Sequence, residues 1–143
     1  MDEEHSPQQF VRIDPNMMRA ISAINTAFSV LDNAVYKLKQ RDFGGSVEES
    51  KIAMRFAASA ILFHDGYIAS TFESTKDYIE KTYPGRFPLD DWHEAEITIT
   101  GEGPGLLNMI YRLSGELAEK KKAEKFITSA EKFIGESMKL MGV

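Results

Sequence analysis

The chain has 143 residues, the size of one domain, and a compact chain of that length buries about two-thirds of the surface its unfolded form exposes. Hydrophobic residues at 43% and charged residues at 27% are ordinary globular values and exclude wholesale disorder and fibrous repeats; the absence of cysteine excludes disulfides, thiolate metal sites and a cysteine nucleophile. A net charge of -5 argues against binding nucleic acid through the whole surface and confines any polyanion site to a local patch.

The acidic start "MDEEHSPQQF" lacks the basic and apolar regions of a signal peptide, and no apolar run approaches the ~20 residues that span a bilayer. A cytoplasmic protein without a membrane partner is expected. Residues 1–13 read as a flexible tail and 14–143 as a single helical domain.

The first helix is carried by Met17, Ile21, Ile24, Phe28, Leu31, Val35 and Leu38, which alternate spacings of four and three. Asp14 is the expected N-cap with Pro15 at the first helical position, and Gly44-Gly45 the expected stop. Ser46 and Glu49 have capping-box spacing and open a second helix, "ESKIAMRFAASAILFH", that runs to Gly66; its alanines suit close approach of a neighbouring helix. A third helix is predicted from Ser70, with Glu73 three residues on, to Pro84-Gly85.

Residues 84–105 contain "EITIT", which alternates like a strand but has no second strand of similar quality, so an ordered loop or a short helix is expected. "GLLNMIYRLS" then reads as a short apolar helix, separated by Gly115 from a last helix carrying Ala123, Phe126, Ile127, Ala130, Phe133, Ile134, Ser137, Met138 and Met141. Leu31, Phe56 and Phe133 are the expected core positions of three different helices. The sum is an all-α, up-and-down antiparallel bundle of four to five helices.

This order of elements resembles the HEPN family of small helical bundles. The long first helix ending in "KQRDFGG", the alanine-rich and aromatic "SVEESKIAMRFAASAILFHDG", the "LLNMIYRLSGELAE" stretch and the closing "AEKFITSAEKFIGESMKLM" follow the family's pattern over residues 17–141. The resemblance implies a homodimer with a nucleotide or RNA site at the dimer groove, and a nucleotidyltransferase as a possible protein partner. In active members of that family an arginine is followed after four to six residues by a histidine. Arginine grips a phosphate while histidine moves a proton, so the pair allows RNA cleavage without a metal. Arg112 fits the arginine, but Leu117, Ala118 and Glu119 occupy the histidine positions.

The expected function is therefore a non-catalytic HEPN-like binding module, with no catalytic residue and no metal or cofactor, and with Arg112, Lys121 and Lys125 as ligand-binding candidates. The competing readings are a toxin-like, metal-independent ribonuclease with a replacement base, and a purely structural or antitoxin-type dimeric bundle. Glu116 or Glu119 would be the replacement base, but a carboxylate held by an arginine is a poor proton donor, so an ion pair is expected. "EKKKAEK", with Lys120, Lys121, Lys122 and Lys125, can meet phosphates; its interleaved glutamates, and Glu116 four residues before Lys120, favour a solvated, ion-paired face.

His64 reads as a helix-capping residue. Asp65 beside it can orient the imidazole, but neighbours on a helix point in different directions, so no catalytic dyad is expected. His93 in "DDWHEAE" marks an acidic loop without calcium-loop spacing, "GEGPG" lacks the strand and lysine of a phosphate loop, and Tyr67, Tyr78, Tyr83 and Trp92 read as packing residues.

Overall fold

The structure is a computed structural model that describes residues 10–89 and 105–143, the side chains of 105–114 excepted. Helix α1 (Met17–Lys39) is capped by Asn16 and not by Asp14: the Asn16 backbone is extended and its Oδ1 accepts from the Arg19 N–H at 2.9 Å. The preceding residues are held extended because Ile13 N–H donates to Gly66 O at 2.8 Å and Asn16 N–H donates to Phe63 O at 2.9 Å. These bonds also satisfy carbonyls at the C-terminal end of the next helix.

Helix α2 (Phe43–Asp65) starts earlier than Ser46 because Asp42 is its cap, with Oδ1 accepting from Gly45 N–H at 3.0 Å. A Cβ on Gly45 would collide with that carboxylate, so Gly45 belongs to the first turn of α2 and does not stop α1. Ser46, the expected cap, is buried and donates its Oγ to Ala34 O at 2.8 Å. Gly66 ends α2 in the left-handed region at φ 94°.

Strand β1 (Phe10–Arg12) pairs antiparallel with β2 (Tyr67–Ala69), placing Phe10 opposite Ala69 and Arg12 opposite Tyr67. Residues 10–12, assigned to the tail by the sequence, are thus a strand. Thr71, one residue beyond the expected Ser70, caps α3 (Phe72–Thr82) through Ser74 N–H at 3.0 Å. Helix α4 (Gly105–Met141) is one helix of 37 residues, about 55 Å long, where two were expected. A single interior glycine such as Gly115 costs only about 1 kcal/mol, and packing of α4 on the bundle offsets it. "EITIT" and the "DDWHEAE" loop lie outside the described residues.

The chain is an all-α bundle with one two-stranded ribbon among the described residues. Ala20, Ala27 and Ala34 on α1 and Ala53, Ala57 and Ala60 on α2 are all fully buried, and Ser46 Oγ joins the two helices at Ala34 O. The buried face of α1 carries Ala20, Ala27 and Ala34 and is rotated away from the larger stripe. Ile24 and Leu31 are buried, whereas Met17, Ile21 and Phe28 remain 41%, 38% and 43% exposed. Phe133 is fully buried, but Phe56 is a surface residue, contrary to the expected core.

Helix α4 runs in the same direction as α2. Glu116 meets Arg41, Phe126 meets Lys51 and Ser137 meets Ala57, in step along both chains. The longer connection between them, in which α3 lies, permits this parallel pair. Within the core, Ser50 Oγ is buried and has no hydrogen-bond partner among the described residues. Ser50→Ala is therefore expected to stabilise the fold by about 1 kcal/mol, the desolvation cost of an unmet hydroxyl; a lowered urea midpoint would show that the hydroxyl is satisfied. No helix among the described residues is long and apolar enough to cross a membrane.

Candidate functional site

The α1–α2 connection is three residues long: Gln40 closes α1, Arg41 turns, and Asp42 caps α2. Arg41 N–H donates to Leu38 O at 3.0 Å and Asp42 N–H donates to Lys37 O at 2.8 Å. That pair of bonds closes a helix end whose turning residue is usually glycine, because it must adopt positive φ. Here the residue is arginine at φ 64°, the one non-glycine residue with positive φ among the described residues. Holding it there costs on the order of 1 kcal/mol.

The turn projects Arg41 toward α4. Its Nη2 donates to Glu116 Oε1 at 2.9 Å, and the two side chains are 68% and 56% exposed. An ion pair so exposed is worth at most about 1 kcal/mol, so an incoming anion can exchange for Glu116. Around the pair lies a shallow depression of about 180 Å³, lined by Arg41, Phe43, Glu116, Leu117 and Lys120. Lys120 has no ion-pair partner among the described residues. Glu116 is taken up by Arg41 and not by Lys120, although their spacing of four allows that pair.

Arg41 also lies over the Phe43 ring, 5.8 Å from its centroid. This contact alone does not mark a site, because Arg12, Arg19, Arg55 and Arg86 each cover a ring as well. What sets Arg41 apart is its backbone. Of the sequence candidates, Arg112 occupies α4 one turn before Glu116, and its side chain lies outside the described residues. Lys121 and Lys125 are exposed on α4 but do not line the depression; Lys121 sits about 140° around the helix from Glu116.

A second polar cluster stands at the far end of α2. Asp65 Oδ2 accepts from Tyr78 Oη at 2.7 Å and from Tyr83 Oη at 2.6 Å, while Oδ1 lies 2.8 Å from His64 Nδ1. Neighbouring His64 and Asp65 thus meet after all, because Asp65 is the last residue of the helix and the chain turns away at Gly66. A carboxylate there opposes the negative end of the helix dipole, and the two phenols offset that cost. Burial, and after it the hydrogen bond to Asp65, raises both phenols above the ordinary tyrosine value.

Tyr78 is further packed against Tyr67 and Phe10, with ring centroids 5.4 and 6.1 Å away. The tyrosines are packing residues, as expected, and also the donors that hold Asp65. Among the described residues no group of three or more histidines or carboxylates is placed to hold a metal. No family model, no curated protein and no solved structure matches the chain.

Proposed function

We propose that the protein is a non-catalytic, HEPN-like binding module of the cytoplasm, homodimeric, that holds a phosphate-bearing ligand, a nucleotide or single-stranded RNA, in the depression between Arg41 and Lys120. The observation that carries this reading is the left-handed Arg41: a glycine would relax the turn, and only an arginine offers a guanidinium. Lys120 adds a second cation, and Arg112 enters α4 one turn earlier. Leu117, Ala118 and Glu119 supply no imidazole near Arg112, which supports binding without cleavage. The half-exposed Met17, Ile21 and Phe28 follow one face of α1 and offer apolar surface to a second copy. A nucleotidyltransferase partner, implied by the family resemblance, would deliver the nucleotide.

The test is fluorescence anisotropy with a labelled single-stranded oligoribonucleotide. Arg112→Ala is expected to weaken binding by roughly 1.5 to 3 kcal/mol, the range for a hydrogen bond to a charged group. Arg41→Gly is expected to weaken it similarly while leaving the fold as stable or more so, since the turn relaxes. Affinity indifferent to both substitutions would leave these arginines as surface side chains. Light scattering on the same samples reports the dimer: twice the chain mass of 16.1 kDa supports it, and the single chain mass contradicts it.

A further inference from the structure

We propose that His64 is a modification site of this protein, whose Nε2 takes an acyl group from a neutral activated acyl donor while Asp65 holds Nδ1–H. The cluster lies at the opposite end of α2 from Arg41, about 33 Å along the helix, and the inference does not depend on the anion site.

The 2.8 Å contact between His64 Nδ1 and Asp65 Oδ1 fixes the tautomer, because a carboxylate oxygen can only accept. The ring proton therefore sits on Nδ1, and the lone pair is on Nε2. Nε2 has no hydrogen-bond partner among the described residues, and the side chain is 32% exposed. Asp65 is itself fixed, 13% exposed and held by the Tyr78 and Tyr83 hydroxyls at 2.7 and 2.6 Å. The imidazole is thus oriented by a carboxylate that cannot swing away without breaking two further bonds.

Attack by a neutral imidazole builds positive charge in the ring. Two features of this site stabilise that charge: the carboxylate on Nδ1–H and the negative end of the α2 dipole. The same features repel anionic donors such as phosphoryl compounds, so the fitting electrophile is a neutral acyl group. In the step, the Nε2 lone pair adds to the carbonyl carbon and the carbon–oxygen bond to the leaving group breaks, taking its electron pair. The ring is left acylated at Nε2, and the Nδ1 proton passes through Asp65 to solvent.

Diethyl pyrocarbonate is a neutral acyl donor that reads this chemistry directly: Nε2 forms a bond to one carbonyl, and ethyl carbonate leaves to give ethanol and carbon dioxide. The full chain is treated at neutral pH, and ethoxyformylation of each histidine is followed in time by peptide mass spectrometry. His64 is expected to react faster than His5 and His93 of the same molecule, and Asp65→Asn is expected to slow it roughly tenfold, the loss of one charge-assisted hydrogen bond. If Asp65→Asn does not keep its helical circular dichroism, the competition within the wild-type chain decides. His64 lagging behind His5 or His93, or equal rates in wild type and a folded Asp65→Asn, overturns the assignment.

Discussion

Phe133→Ala is expected to lower the unfolding free energy by about 3 to 5 kcal/mol, the range for truncating a buried phenylalanine. The ring is fully buried and lies 4.7 Å, centroid to centroid, from Phe87. Its removal leaves a cavity between α4 and the segment that follows α3, and neither side can collapse without disturbing the close packing of α4 on α2, where Ser137 Oγ reaches Ala57 O. Phe56→Ala is the control. With Phe56 38% exposed, its truncation should change the urea midpoint far less, by about 1 kcal/mol or under. Equal losses at the two positions would mean that the helices are rotated from the packing described.

Asp65→Ala is expected to cost about 2 to 4 kcal/mol, because two partly buried phenols lose their common acceptor at once and His64 loses the carboxylate on Nδ1. The substitution also changes the alkaline limb of stability. Burial first, and the Asp65 hydrogen bond second, raises the Tyr78 and Tyr83 values in the folded state. Above about pH 10 the unfolded chain therefore releases phenol protons that the folded chain keeps. The contribution of these groups is fully present below that pH and is lost as pH rises through the folded values. Melting temperatures measured from about pH 8 to pH 11 should fall with pH in the wild type, and Asp65→Ala should flatten the fall without abolishing it, since burial remains. A slope unchanged by Asp65→Ala would show that the carboxylate does not hold the phenols.

The existence of α1, α2 and the last part of α4 was legible because apolar residues recur at helical spacing; Leu31 on α1 and Phe133 on α4 fall on those stripes and in the core. The phase of α1 was not. Side-chain size marks Met17, Ile21 and Phe28 as core, but the buried side of α1 is the one that carries the small Ala20, Ala27 and Ala34. Helix ends were misplaced where a cap competed with a glycine pair: Asp42 caps α2 so early that Gly44 and Gly45 fall inside it. The three-residue strands are too short to show alternation, and the whole of α1 and α2 lies between them in sequence.

The candidate site was legible only in part. Lysines at the middle of α4 drew attention to that helix, but the choice of Lys120 over Lys121 is made by the partner turn, and Arg41 meets Glu116 across 75 residues of sequence. Nothing local marks an arginine for positive φ when two glycines follow three residues on. Asp65 carried a fainter signal: a carboxylate at a helix C-terminus needs donors, and Tyr78 and Tyr83 stood downstream to supply them.

The central claim is that the depression beside Arg41 binds phosphate-bearing ligand without cutting it. It is tested most directly by titrating a labelled single-stranded oligoribonucleotide with the wild-type chain in the presence of a metal chelator, reading anisotropy during the titration and strand length afterwards. The expected result is saturable binding that weakens as salt is raised, as for phosphate contacts, with the RNA intact. No binding at any salt concentration, or RNA cut above a buffer blank, contradicts it.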